Sequence, residues 1–188
     1  MHTQNNPPSV KKKKSLSIQE MVVFAMLGTL MFCSKVLMEI LPNIHLVGML
    51  TMVFTLVFRK KALVPIYVFV LLNALHIGIL SMWWLPYLYI WLPLWAVTML
   101  LPRHIPKRIA CIVYPVVCGL HGLTFGTLYA PAQALMVGLN FKQTVAWIIA
   151  GLPWDAVHGI GNFCAGMLIV PLSKLLKKIT SNHQRMIS

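Results

Sequence analysis

Acidic residues are almost missing from this chain. Glu20, Glu39 and Asp155 are the three acids among 188 residues, against 16 Lys or Arg. Charged residues make up only 10% and hydrophobic ones 59%, whereas soluble domains carry about 25% charged residues. That excludes an ordinary water-soluble domain, and disorder too, because disordered chains are poor in apolar residues. The cysteines Cys33, Cys111, Cys118 and Cys164 form no CxxC pair and sit inside apolar runs. This argues against a disulfide framework or a zinc ribbon and predicts reduced, buried thiols acting as small hydrophobes.

Catalytic signatures are missing as well. There is no HExxH, no GxSxG, no pair of glutamates and no Walker P-loop, so neither an enzyme nor a self-contained ATPase is expected. Serine is scarce in the apolar stretches, and Ser34 has no evident base. His45, His76, His121 and His158 are spread, with no two of them at i, i+4. No metal site and no cofactor are therefore expected.

What is present is apolar length. A spanning helix needs about 20 mostly apolar residues. Six stretches offer themselves: 18–40, 44–58, 62–80, 85–101, 109–129 and part of 144–176. The last is too long for one crossing. Pro is favoured in the first turn of a helix, where its missing N–H is no loss. The sixth span is therefore expected to start near Pro153 and end near Lys174, leaving 130–152 as an apolar connector, interfacial or re-entrant. The alternative is one long helix kinked at Pro153. The fold class is thus an all-α integral membrane protein, a bundle of six transmembrane helices. Residues 1–15 read as a disordered basic tail, 16–178 as the membrane domain and 179–188 as a C-terminal tail. The run Lys11 to Lys14 precedes a segment longer than a signal-peptide core, so no cleaved signal is expected.

Charge gives orientation. Lys11 to Lys14, Arg59 to Lys61, Arg103, Lys107, Arg108, Lys174, Lys177, Lys178 and Arg185 fall on one side of the expected spans. By the positive-inside rule both termini are cytoplasmic. The excess of positive charge then needs no nucleic-acid partner; the partner it implies is membrane lipid.

Polar groups inside apolar spans usually face the bundle interior. Asp155, His158 and Asn162 stand at i, i+3 and i+7, within an arc of roughly 60° on a helix. They form either a ligand-facing stripe or a satisfied interhelical hydrogen-bond cluster. His121 and Gln133 lie on or after the fifth span, Asn43 and His45 at the start of the second, and His76 at the outer end of the third. Lys35 and Glu39, at i, i+4, either pair or sit at headgroup level. Trp83, Trp84, Tyr87, Tyr89, Trp91 and Trp95 read as an interfacial belt or as stacking platforms for a planar ligand, with some pointing inward.

The turn Leu41-Pro42-Asn43-Ile44-His45, the aromatic stretch Trp83 to Trp91, and the segment Gly151-Leu152-Pro153-Trp154-Asp155-Ala156-Val157-His158 leading to Asn162 together resemble the substrate-binding S components of energy-coupling factor (ECF) transporters. The resemblance covers roughly Ile18 to Lys178. It implies a multi-pass protein of a bacterial plasma membrane that captures a vitamin or related micronutrient from outside. Such a protein docks on a transmembrane coupling protein served by two cytoplasmic ATPases. Carried over by position, it assigns ligand-lining roles to Asn43, His45, Trp84, Tyr87, His121, Gln133, Asp155, His158 and Asn162. Docking in that family uses small residues on the first helix, typically alanines four apart. Here Ala25, Gly28 and Thr29 occupy that place, with Thr29 where the second alanine would stand. The alternative functions are a small metal or cation carrier and, less well supported, an intramembrane enzyme.

Overall fold

In a computed structural model the structure describes residues 16–187, with side chains to residue 181. The expected tail 1–15 lies outside the described residues. The fold is all-helical: α1 (Ile18–Leu37), α2 (Val47–Phe58), α3 (Leu63–Ile77), α4 (Tyr87–Leu100), α5 (Lys107–Leu123), α6 (Phe125–Val137), α7 (Phe141–Gly166) and α8 (Ile169–Ile187), with 3-10 turns at Arg59–Ala62 and Met82–Trp84. No strand occurs among the described residues.

Two helical stretches are long and apolar enough to cross a bilayer: Ile18–Leu37 and Lys107–Val137, the latter joining α5 and α6 through Thr124. A third arises if Phe141–Gly166 and Ile169–Ser181, bent by 49°, count as one crossing. The helices α2, α3 and α4 have 12, 15 and 14 residues, each shorter than the ~20 residues of a straight span.

The core is built around α2. Its residues Val47 to Thr55 are all buried, so this uniformly apolar helix has no outward stripe, as expected of a helix enclosed by others. Around it Phe69, Ile90, Trp91, Leu94, Cys118 and Ile169 are buried. The outer helices show the reverse: Met21, Met26 and Leu30 on α1, and Ile112 and Leu120 on α5, are exposed. Apolar side chains on the outside of a helical body are compatible with a hydrocarbon-facing surface.

Several expectations are corrected. The helix carrying Pro153 does not begin there. It begins at Phe141, where Asn140 and Gln143 form a capping box that satisfies the first backbone N–H groups. Pro153 lies inside it, and the break falls at Met167-Leu168, just after Gly166 packs on Pro115. The expected connector 130–152 is the end of α6, a turn at Gly138 (φ 73°) and the first half of α7. The thiols are free, but Cys33, Cys111 and Cys164 are exposed and only Cys118 is buried. An apolar outer surface holds a cysteine as comfortably as a core does, which is why burial did not follow from apolar neighbours.

Candidate ligand-binding site

The basic and polar residues sort to opposite ends of α2 and α5. At the C-terminal end of α2 and the N-terminal end of α5, Arg59, Arg103, Lys107, Lys174 and Lys177 line one cleft. At the other end the histidines converge. The turn 41–46 delivers His45 to the start of α2, α5 delivers His121 near its last turn, and α7 delivers Asp155, His158 and Asn162.

The ring of His158 lies 4.7 Å from that of His45 and 4.6 Å from that of Phe125. Trp91 is the centre of the aromatic group, 6.1 Å from His45, 5.6 Å from His121, 5.9 Å from Phe69 and 6.0 Å from Tyr87. The stripe predicted from i, i+3, i+7 spacing exists: Asp155, His158 and Asn162 are all buried, although α7 as a whole exposes Trp154 and Ile160.

Glycines allow this convergence. A Cβ on Gly122 would stand 2.8 Å from the Gly159 Cα and from the His158 carbonyl oxygen, and 2.9 Å from the Asn162 amide. A Cβ on Gly48 would stand 3.2 Å from the same amide. The backbones of α5 and α7 therefore touch through small residues, as is common between helices in a bilayer. Gly126 brings its own N–H to the Asp155 carboxylate, donating to Oδ1 at 2.9 Å.

The cluster is rich in buried polar atoms with no protein partner: His45 Nδ1, Trp91 Nε1, His121 Nδ1, Asp155 Oδ2, His158 Nε2 and both amide atoms of Asn162. Asn73 on α3 and Gln133 on α6 also bury amide atoms without a protein partner. Each such group lacks about 1–3 kcal/mol of compensation, and native proteins keep few of them. Their chemistry is mixed. The His121 Nε2–H donates to the Ile90 carbonyl at 2.9 Å, so in the neutral ring Nδ1 is an acceptor. Asp155 Oδ2 accepts, the Trp91 indole donates, and the Asn162 amide does both.

The structure gathers His45, Tyr87, His121, Asp155, His158 and Asn162 at this end and buries Gln133 on α6. Asn43 stays exposed in the turn, with a left-handed φ of 59°. The Trp84 indole N–H donates to the Ile79 carbonyl at 3.0 Å. Neither takes part in the ring contacts of the cluster. Sequence reasoning missed Phe125, which stands against Trp91, His121 and His158 and carried no signal in the sequence.

Nearby, Lys35 pairs with Glu39 at 2.9 Å, and His76 stands 3.5 Å from the same carboxylate. In the turn beyond α1, the Lys35 ammonium holds the Glu39 carboxyl below its ordinary range. On α1, Ala25 and Thr29 are exposed side by side. Gly28 is instead taken up inside the chain, where a Cβ would stand 2.6 Å from Val68 on α3. It cannot belong to the same outward face, because α1 and α3 use it for their own close approach. Among the described residues no group of three or more His, Cys, Asp or Glu side chains is placed to hold a metal ion.

Compared with known protein families, curated proteins and solved structures, the chain matches none.

Proposed function

We propose that this chain is the substrate-specificity component of an ECF-type importer in a bacterial plasma membrane. On this reading it is a six-span bundle with both termini cytoplasmic, it is not an enzyme, and it carries no cofactor. The buried cluster around Trp91, His158 and Asn162 is where the ligand is held, on the outward side. The shorter helices α2, α3 and α4 complete the six crossings together with their flanking turns. Ala25 and Thr29 on α1 offer the small-residue face for the coupling protein, which two cytoplasmic ATPases energise.

One observation carries the reading. Most of the buried polar atoms without a protein partner among the described residues belong to His45, Trp91, His121, Asp155, His158 and Asn162, with aromatic rings around them. A small polar ligand would satisfy those atoms, whereas a purely structural cluster would have paired them. The mixture of donors, acceptors and ring faces suits a planar, nitrogen-bearing heterocycle such as a vitamin or vitamin precursor. The opposite, basic end supports the orientation.

The test is mass spectrometry of small molecules released from the purified protein, for the parent and for His158→Ala and Asn162→Ala. The proposal expects a heterocyclic compound from the parent and its loss from both variants. Equal retention in all three would place the ligand elsewhere. A metal or cation carrier is the second reading, favoured by the His45–His158 ring contact. It requires that a transition metal alone raise the thermal stability, and a flat titration removes it.

A further inference from the structure

We propose that the cleft at the basic end binds the phosphate headgroup of an anionic phospholipid. The cleft measures about 810 Å³ and collects positive side chains from four separate segments: Arg59 after α2, Arg103 in the loop between α4 and α5, Lys107 at the start of α5, and Lys174 with Lys177 on α8. No acid lines it. Glu39 and Asp155 stand at the far end with the histidines, and Glu20 meets Lys61 in the adjoining cleft. Lys177 also lines the adjoining cleft that holds Glu20, but no acid lines this one, and such an excess of positive charge is stabilised by an external anion.

The geometry favours a phosphate over a diffuse counter-ion cloud. The Arg59 guanidinium is fixed by a hydrogen bond from Nη2 to the Met99 carbonyl at 2.7 Å, and its Nε is buried without a protein partner. A guanidinium held this way keeps a fixed positive charge at the cleft wall, where a phosphate is favoured over a diffuse counter-ion. The first turn of α5 opens into the same cleft, and its N-cap, Pro106, supplies no side-chain acceptor. Its N–H groups are thus left for an anion.

The geometry also favours a lipid over a soluble phosphate ester. Leu56, Val57, Ile105 and Val170 line the cleft beside the cations. Leu100, Ile109 and Leu175, on the neighbouring helices, are exposed. A headgroup among the cations would leave its glycerol and acyl chains against apolar side chains. Basic pockets between membrane helices on the cytoplasmic side recognise lipid headgroups in this way. The inference takes from the proposed function only the membrane orientation; it is independent of what the histidine end binds.

The experiment compares the full chain in nanodiscs of phosphatidylcholine with and without phosphatidylglycerol, reading thermal stability and the lipid retained on extraction. Phosphatidylglycerol is expected to raise the stability of the parent. The variant Arg103→Gln/Lys107→Gln/Lys174→Gln should lose roughly tenfold or more in phosphatidylglycerol retention. The variant Lys60→Gln/Arg108→Gln/Lys178→Gln removes the same charge at the same end but outside the cleft, and should stay within about twofold of the parent. In phosphatidylcholine alone all three should unfold alike. If the first variant unfolds there, the exposed single change Arg103→Gln carries the same comparison. Equal losses in both triple variants would reduce the site to diffuse surface charge and overturn the proposal. Unchanged retention in the cleft variant would overturn it too. Full displacement of the lipid by soluble glycerol phosphate would assign the cleft to a free phosphate ester instead. Unchanged lipid retention with lost binding of the coupling protein would assign it to an acidic protein segment.

Discussion

The two ends of α2 solve opposite problems with the same helices. At its N-terminal end, His45, His158 and Asn162 are packed into the body, and many of their polar atoms have no partner. At its C-terminal end, Arg59, Arg103 and Lys107 line an open cleft. Buried groups at the first end are neutral or weakly basic apart from one acid, Asp155, whose carboxylate accepts from the Gly126 N–H. Full charges at the second end could not be enclosed that way, because an isolated buried charge costs far more. The contrast shows how a chain this poor in acids distributes its polarity: specific and enclosed at one end, electrostatic and open at the other.

The largest disruption should come from the packing that makes the enclosed end possible. Gly122→Ala drives a methyl against the Gly159 backbone and should cost about 1–3 kcal/mol, read as a fall in Tm. The matched control is Gly151→Ala, whose Cβ meets nothing within 4 Å. It should leave Tm unchanged or raise it slightly, since Ala is the better helix former by about 0.5–1 kcal/mol. If both variants fall equally, the glycine seam between α5 and α7 is not what holds the histidine end together.

Next in size are changes to the orphaned polar atoms. His158→Ala and Trp91→Phe should weaken ligand retention by roughly tenfold or more, as expected when a partner in a buried hydrogen bond is removed. Trp91→Phe should lower ligand-free stability by about 1–3 kcal/mol for the cavity it leaves in the core, with no added loss from the indole N–H, which has no partner within the chain. A loss well beyond that cavity cost would mean that the indole N–H already has a structural partner. Orientation gives a yes-or-no comparison in a background where the exposed cysteines are replaced. A cysteine at Asn43 should react with a membrane-impermeant thiol reagent from outside intact cells, and one at His104 should react only after lysis. The smallest effect is expected at Lys35. Its pair with Glu39 is partly exposed, and Lys35→Gln should change stability by no more than about 0.5 kcal/mol.

Part of this was legible in the sequence. The stripe Asp155, His158, Asn162 was readable because helical period alone puts them on one face, and apolar neighbours on both sides mean that face turns inward. The gathering of basic residues was readable because charges near span ends obey one rule. Pro153 misled because a proline is a local signal, while the helix start is decided at Asn140 by a capping box and the break at Met167-Leu168 falls where Gly166 meets Pro115. Gly28 misled for a related reason: a small residue permits close approach equally to a partner and to a neighbouring helix, and α3 occupies that place. The roles of Trp91 and Phe125 were out of reach, because a lipid-facing aromatic and a pocket aromatic have the same sequence signature and differ only in tertiary placement.

The central claim is that the enclosed polar end holds a small heterocyclic ligand. The most direct measurement is the identity and amount of small molecule released per protein by the parent and by Asn162→Ala, whose amide atoms are both without protein partners. The account predicts a heterocyclic compound from the parent in near-stoichiometric amount and its loss from the variant at unchanged fold. No compound from either protein after growth in rich medium, or equal amounts from both, would contradict it.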